Sequence, residues 1–248
     1  MAQIRIEETP TLDDPVLVEG LPGVGLVGKI ATDHIVETLE MQYIGSVDCD
    51  GLPKIAVYGE ETRDVEPPVR LYADEERDLL ALQSDIPVSR DTASDFARAV
   101  TDWIEAQHAF PLYLSGLALE EHAPGEVPTV FGVGTGDGAA LLEENGIDLP
   151  TERGVIGGPT GALVNRAVAT GLDSCGLVVE SDPQFPDPAA ARQLIVEGIE
   201  PLAKVSVDTD DLVERAEDIR EQKEKLAKRM QQAGEDESSQ AQPLRMYQ

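Results

Sequence analysis

Apolar residues fall along this chain in short runs bounded by glycine, proline and acidic residues, which predicts strands, and between those runs they recur at helical spacing. Residues 15–20 (PVLVEG) read as a buried strand followed by a glycine-rich turn and a helix over 24–39, a βα opening. Residues 42–48 (QYIGSVD) and 54–59 (KIAVYG) read as strands, and 69–85 as a hairpin turning at 74–77. Ser89 and Asp91 introduce a helix in which Ala93, Phe96, Val100, Trp103 and Ile104 share the core-facing side. Residues 111–116 and 127–134 are apolar strands ending in glycine. A short helix at 139–144, a helix over 160–170, a strand over 174–181 and a helix over 188–204 complete the domain. This alternation predicts an α/β protein, a three-layer α/β/α arrangement in which helices cover both faces of a mainly parallel sheet.

Beyond residue 207 the pattern changes. Leu212, Ala216, Ile219, Lys223, Leu226, Met230 and Ala233 recur at spacings of four and three, a narrow stripe on an otherwise charged helix. Asp208, Asp210 and Asp211 at its start and Lys223, Lys225, Lys228 and Arg229 toward its end suit the helix dipole. A stripe holding two alanines and a lysine is a poor coiled-coil seam, so the helix is expected to pack on its own domain. Residues 234–243 (GEDESSQAQP) carry no apolar anchor and read as a flexible linker spanning about 17 Å root mean square. The chain thus divides into an α/β domain (1–207), an amphipathic helix (208–233) and an acidic linker with a tail (234–248).

Composition narrows the partners. The chain has 248 residues, 41% of them hydrophobic, which is ample for a core. Its 48 acidic residues against 19 basic ones give a net charge of −29, which argues against nucleic acid and anionic membrane as partners, since both require a basic footprint. Few lysines, many small apolar residues and the spread acidity read as halophilic adaptation: in molar salt the Debye length is about 3 Å, so dense carboxylates repel one another little. Cys49 and Cys175 sit in or beside apolar runs and read as buried free thiols. The amino-terminal MAQIRIEETP has no signal-peptide core, and no apolar stretch reaches the roughly 18–20 residues that span a bilayer, so a cytoplasmic protein is expected.

Candidate chemistry is sparse. Gly23, Gly25 and Gly28 form G-x-G-x-x-G after a strand and at a helix start, and Asp48 ends the next strand, the layout of a dinucleotide fingerprint. The same run reads G-x-x-x-x-G-K through Lys29, but Ile30 stands where a P-loop needs Ser or Thr for magnesium. Leu21, Pro22, Val24, Leu26 and Val27 offer a ligand little beyond backbone N–H groups, so the glycines are read as structural, with a nucleotide- or nucleoside-binding enzyme as the rival reading. His34 with Glu37 reads as a surface pair, His108 as a helix-end residue, and Glu120, Glu121 and His122 as a solvated acidic turn rather than a metal set. No catalytic residue, metal or cofactor is expected.

The end of the chain carries a sharper signal. Met246, Tyr247 and Gln248 are a hydrophobic residue, a tyrosine and a terminal residue, the HbYX motif class by which regulators and chaperones of the 20S proteasome insert between its α subunits. Tyrosine supplies apolar area with a polar tip, and a terminal carboxylate can pair with a lysine. The run VLVEGLPGVGLVGKIATDHI, then YIGSV, Leu52–Pro53, the DIP at 85–87, the GTGD at 134–137 and GVIGGPTGALV at 154–164 together resemble the PAC2 family of proteasome assembly chaperones in its archaeal branch. The resemblance covers about residues 10–205. It implies a fold akin to nucleoside phosphorylases, homo-oligomers, no established catalysis, a structural role for Gly23, Gly25 and Gly28, and binding to proteasome α subunits or the 20S core particle, as assembly chaperone, adaptor or activator.

Overall fold

The structure is a computed structural model that describes residues 2–58, 63–119 and 127–216. Among the described residues ten strands form in chain order. They are β1 (Ala2–Ile6), β2 (Val16–Gly20), β3 (Gln42–Cys49), β4 (Val57–Tyr58), β5 (Val65–Glu66), β6 (Val69–Asp74), β7 (Leu79–Ser84), β8 (Phe110–Ala118), β9 (Val130–Thr135) and β10 (Ser174–Ser181). The helices are α1 (Val27–Thr38), α2 (Arg90–Ala106), α3 (Gly138–Glu144), α4 (Gly158–Thr170), α5 (Pro188–Gln193) and α6 (Glu200–Ala203), with a π-helical stretch (Leu194–Ile199) joining the last two. Pro201 has no N–H to offer the Glu197 carbonyl, which fits the widened helix just before it.

Eight strands build one sheet in the order β1-β3-β6-β7-β2-β8-β10-β9, and β4 pairs with β5 apart from it. The α/β/α class stands, and the sheet is mixed. The parallel ladder is confined to β7-β2-β8-β10, and every other neighbour runs antiparallel. Connection length decides this: the four-residue turn between β6 and β7 can only return the chain antiparallel, whereas α2 supplies the crossover that makes β7 and β8 parallel-running. Strand β1 was not foreshadowed by the sequence pattern. It is an edge strand whose Ala2 and Ile4 reach the core while Gln3 and Arg5 stay exposed. The expected strand over 54–59 shrinks, among the described residues, to the two residues of β4, because Lys54, Ile55 and Ala56 find no partner strand and stay exposed.

The period-2 alternation sorts the strands into two cores. Val18, Ala81, Leu112, Leu114 and Leu177 face α1, α3 and the α5–π–α6 stretch. Leu17, Leu71, Leu80, Leu82 and Tyr113 face α2 and α4, where Phe96, Val100, Ile104 and Leu163 are buried. Cys49 and Cys175 are free, buried thiols. Residues 210–216 are helical, and Leu212 is fully buried in the α1-side core. The rest of the 208–233 segment, the linker and the tail lie outside the described residues. Among the described residues no helix is long and apolar enough to cross a membrane.

Candidate functional site

The four parallel strands end together at Gly20, Ser84, Ala118 and Ser181, and α/β proteins generally bind ligands above such an edge, where neighbouring crossovers diverge. Here that crevice lies between β2 and β8, whose ladder stops at the pair Glu19–Tyr113. The chain fills it with its own glycine loop. Val24–Leu26 make a single 3₁₀ turn with Gly25 at φ 59°. A Cβ on Gly25 would sit 1.9 Å from the Ser181 hydroxyl oxygen, and one on Gly116 would sit 2.5 Å from the Val24 carbonyl oxygen. Gly28 lies against Leu114, while a side chain at Gly23 would enter open space. The loop is fastened from outside by Asp187, whose N–H donates to the Gly25 carbonyl at 2.9 Å. The Asp187 carboxylate accepts from the Ser181 hydroxyl and from the Asp182 and Ala190 N–H groups, the last of which caps α5.

Asp48 does not complete a dinucleotide site. It is the penultimate residue of β3, which lies three strand positions from β2, about 14 Å across the sheet. There it is half-exposed and paired with Lys54 and Arg5. Spacing along the sequence matched the fingerprint, but the hairpin β6–β7 is inserted between the two strands that the fingerprint requires as neighbours.

Lys29, the P-loop-like lysine, is equally committed. Its Nζ donates to Asp33 at 2.6 Å and Asp85 at 2.9 Å. Asp85, from the DIP motif, also binds the Arg70 guanidinium at 2.7 Å, and Arg70 is 6% exposed. Arg70 further donates to the Tyr72 hydroxyl, the Gln83 amide oxygen and the Pro67 carbonyl, and Gln83 returns a hydrogen bond to Asp33 at 2.6 Å. Burial works to raise the Asp85 carboxyl, but the Lys29 and Arg70 cations outweigh it and hold it below the usual carboxylate range.

A second polar centre lies under the loop. Glu19 is fully buried, and its carboxyl accepts from the Thr160 hydroxyl at 2.9 Å, the Leu114 N–H at 3.3 Å and the Leu21 N–H. Desolvation dominates over these donors and pushes its pKa up to about 8. Thr160 lies in the first turn of α4, so Glu19 ties together β2, the glycine loop, β8 and the 154–164 motif. Sequence reasoning did not single out Glu19, Arg70 or Gln83. The available signal was a charged or amide residue inside an otherwise apolar strand, as in VLVEG and LLALQS.

His34 corrects the expectation of a surface pair. It is 3% exposed, and its Nε2 lies 2.6 Å from the Asp208 carbonyl oxygen, because residues 205–212 cross over α1 and cover it. Glu37 stays exposed and pairs with Arg215 at 3.9 Å. His108 follows the end of α2 in a left-handed conformation, φ 53°. Glu120, Glu121 and His122 lie outside the described residues, as do Met246, Tyr247 and Gln248. Among the described residues no group of three His, Cys, Asp or Glu side chains is placed to hold a metal.

Residues 17–227 match the family model described as PAC2 family. The uncharacterized protein MJ0106 of Methanocaldococcus jannaschii is 29% identical over 217 residues, covering 87% of this chain and 86% of that one. The crystal structure of Pyrococcus furiosus PbaA, an archaeal homolog of proteasome-assembly chaperone, matches with a TM-score of 0.79 and 26% identity over 94% of this chain and 99% of that one. Pyrococcus furiosus PbaB, an archaeal proteasome activator, shares the fold at a TM-score of 0.78 and 22% identity, over 91% of this chain and 98% of that one. The match begins in β2, runs through the glycine loop, the Lys29–Asp85–Arg70 lattice and the Glu19 centre, and continues past the end of the sheet: the chain belongs to the PAC2 family.

Proposed function

We propose that this protein binds the α subunits of the 20S proteasome through Met246, Tyr247 and Gln248 and acts as an assembly chaperone or adaptor. The observation that carries the reading is a hydrophobic–tyrosine–terminal tripeptide following a polar linker on a PAC2 domain. The reading requires Gln248 to carry the free carboxylate. Tyr247 fills a pocket with its ring, Met246 covers the neighbouring apolar surface, and the carboxylate pairs with a pocket lysine. In molar salt that ion pair is screened, so Tyr247 dominates affinity. A homo-oligomer would present several tails, and matched spacing on a ring of α subunits would raise avidity.

A binding role suits the carboxyl edge of the sheet better than an enzymatic one, since the glycine loop meets its own chain at Ser181 and Gly116 and Lys29 is held by two carboxylates. The fold shared with PbaB keeps a second reading alive, activation of the mature particle. Capture of isolated α subunits and of the mature 20S particle in molar salt, by the full chain and by a Tyr247→Ala variant, tests both. Tail-dependent capture favouring free α subunits supports assembly, and capture favouring the mature particle supports activation. Undiminished capture by Tyr247→Ala would remove the tail from the mechanism.

A further inference from the structure

On the α4 side of the sheet, the outer strand β9 is left partly uncovered. Phe131 and Val133 face that side and are half-buried, and a Cβ on Gly176, the ladder partner of Val133, would meet Val133 and Ile156 at 3.1 and 3.3 Å. Helix α4 packs toward α2, where Arg166 pairs with Asp102 at 3.2 Å, and leaves Val168 on its other flank 64% exposed. The segment leading into α4 lies close beside that helix: a Cβ on Gly161 would sit 2.2 Å from the Ile156 carbonyl oxygen. From this segment Leu149 and Val155 stand 82% and 95% exposed. Single exposed valines are ordinary, but an apolar surface without charge is not ordinary in this chain. Residues 127–136 and 154–165 carry no Asp, Glu, Lys or Arg, although the net charge is −29. The two charged residues of the segment, Glu152 and Arg153, are exposed and opposite in sign.

We propose that this face of β9 and α4 is a contact between two copies of the chain, related by a two-fold axis. A second copy is the occupant that the charges select. Two chains each carrying −29 repel over most of their surfaces and meet where neither presents a carboxylate. The face also supplies both halves of a self-complementary contact, as a two-fold axis requires. Leu149 and Val155 form a ridge, and Gly157 and Gly158, where an added Cβ would meet nothing, leave room for the partner's ridge at the start of α4. Across the axis, Glu152 of each copy has a residue of opposite sign in the same segment of the other, so the rim does not oppose the contact. The inference concerns the domain alone and does not depend on the tail or on proteasome binding.

Sedimentation of the full chain in molar salt tests it, with circular dichroism to verify that each variant is folded. The parent is expected to self-associate, and Val155→Asp with Val168→Asp should weaken the association at least about tenfold, because both aspartates would lose water on contact. Val155→Lys with Val168→Lys should weaken it to a similar degree, since the contact is apolar and either charge spoils it. Tyr58→Asp with Val65→Asp, at an equally exposed apolar pair on the β4–β5 hairpin, should leave the association unchanged. A parent that sediments as a monomer up to about 100 µM, an association indifferent to both the Asp and the Lys pairs, or one that only the hairpin variant dissolves would each overturn the proposal.

Discussion

The two edges of the sheet treat polar groups in opposite ways. At the carboxyl edge, Lys29, Arg70, Asp85 and Gln83 are joined in one lattice with Asp33, Glu19 is buried on its own donors from Thr160 and Leu114, and the glycine loop closes over β8 and β10. At the amino edge, Glu8, Glu40, Glu75 and Glu76 face an open groove. The edge that holds ligands in many α/β proteins is therefore used here for cohesion. A buried lattice that is fully paired contributes definition of the structure as much as net stability, so its removal should be felt far more than its presence.

The largest break should come from Gly25→Val. The new side chain meets Ser181 in a position where φ is already +59°, a region that β-branched residues avoid. Strain and overpacking together should cost about 3–5 kcal/mol, read as a large fall in melting temperature. A variant as stable as the parent would mean that the loop can lift away and that the crevice is available to a ligand. Next comes Asp85→Ala, which strands the buried Arg70 and the half-buried Lys29 without a shared acceptor. A loss of about 3 kcal/mol in denaturant unfolding is expected, and the same loss should persist in molar salt, because the pair is shielded from mobile ions.

Glu19 separates the two edges by pH. Its folded pKa of about 8 lies above the ordinary value of 4.5, so the folded state holds the proton more tightly. Its contribution is fully present below pH 4.5 and is lost as the pH rises toward 8. Relative to Glu19→Gln, the parent should lose about 2 kcal/mol between pH 4.5 and 6 and go on losing until the carboxyl is ionised. Parallel stability curves for parent and variant would show that the three donors hold Glu19 as a carboxylate throughout.

Much of this architecture is legible in the sequence, and the parts that are not share a physical reason. The apolar runs at 15–20, 69–85 and 174–181 became β2, the β6–β7 hairpin and β10, because hydrophobic alternation is a local property. Which strands become neighbours is not local, so spacing alone put Asp48 at the ribose position of the fingerprint, while the sheet sets β3 three positions from β2. The burial of His34 likewise depends on residues 205–212, far along the chain. The family motifs are separate along the sequence, but in three dimensions Lys29 of the glycine run meets Asp85 of DIP, and Glu19 meets Thr160 of the 154–164 segment. Each motif keeps a partner for another.

The smallest expected effect belongs to the carboxylate that the fingerprint had singled out. Asp48 and Lys54 are 46% and 65% exposed, and Asp48 is held below its usual pKa chiefly by that lysine. An exposed pair of this kind contributes little, because both side chains keep their water and lose conformational freedom when they meet. Lys54→Ala should therefore lower stability by less than about 0.5 kcal/mol in dilute buffer and by nothing measurable in molar salt. The contrast with Asp85→Ala carries the argument: two aspartates near the same edge of one sheet, both paired with cations, should differ several-fold in cost and should differ in kind in their response to salt. A salt-resistant loss at Lys54 would mean that the Asp48 corner is covered in solution, as a contact between copies of the chain would cover it.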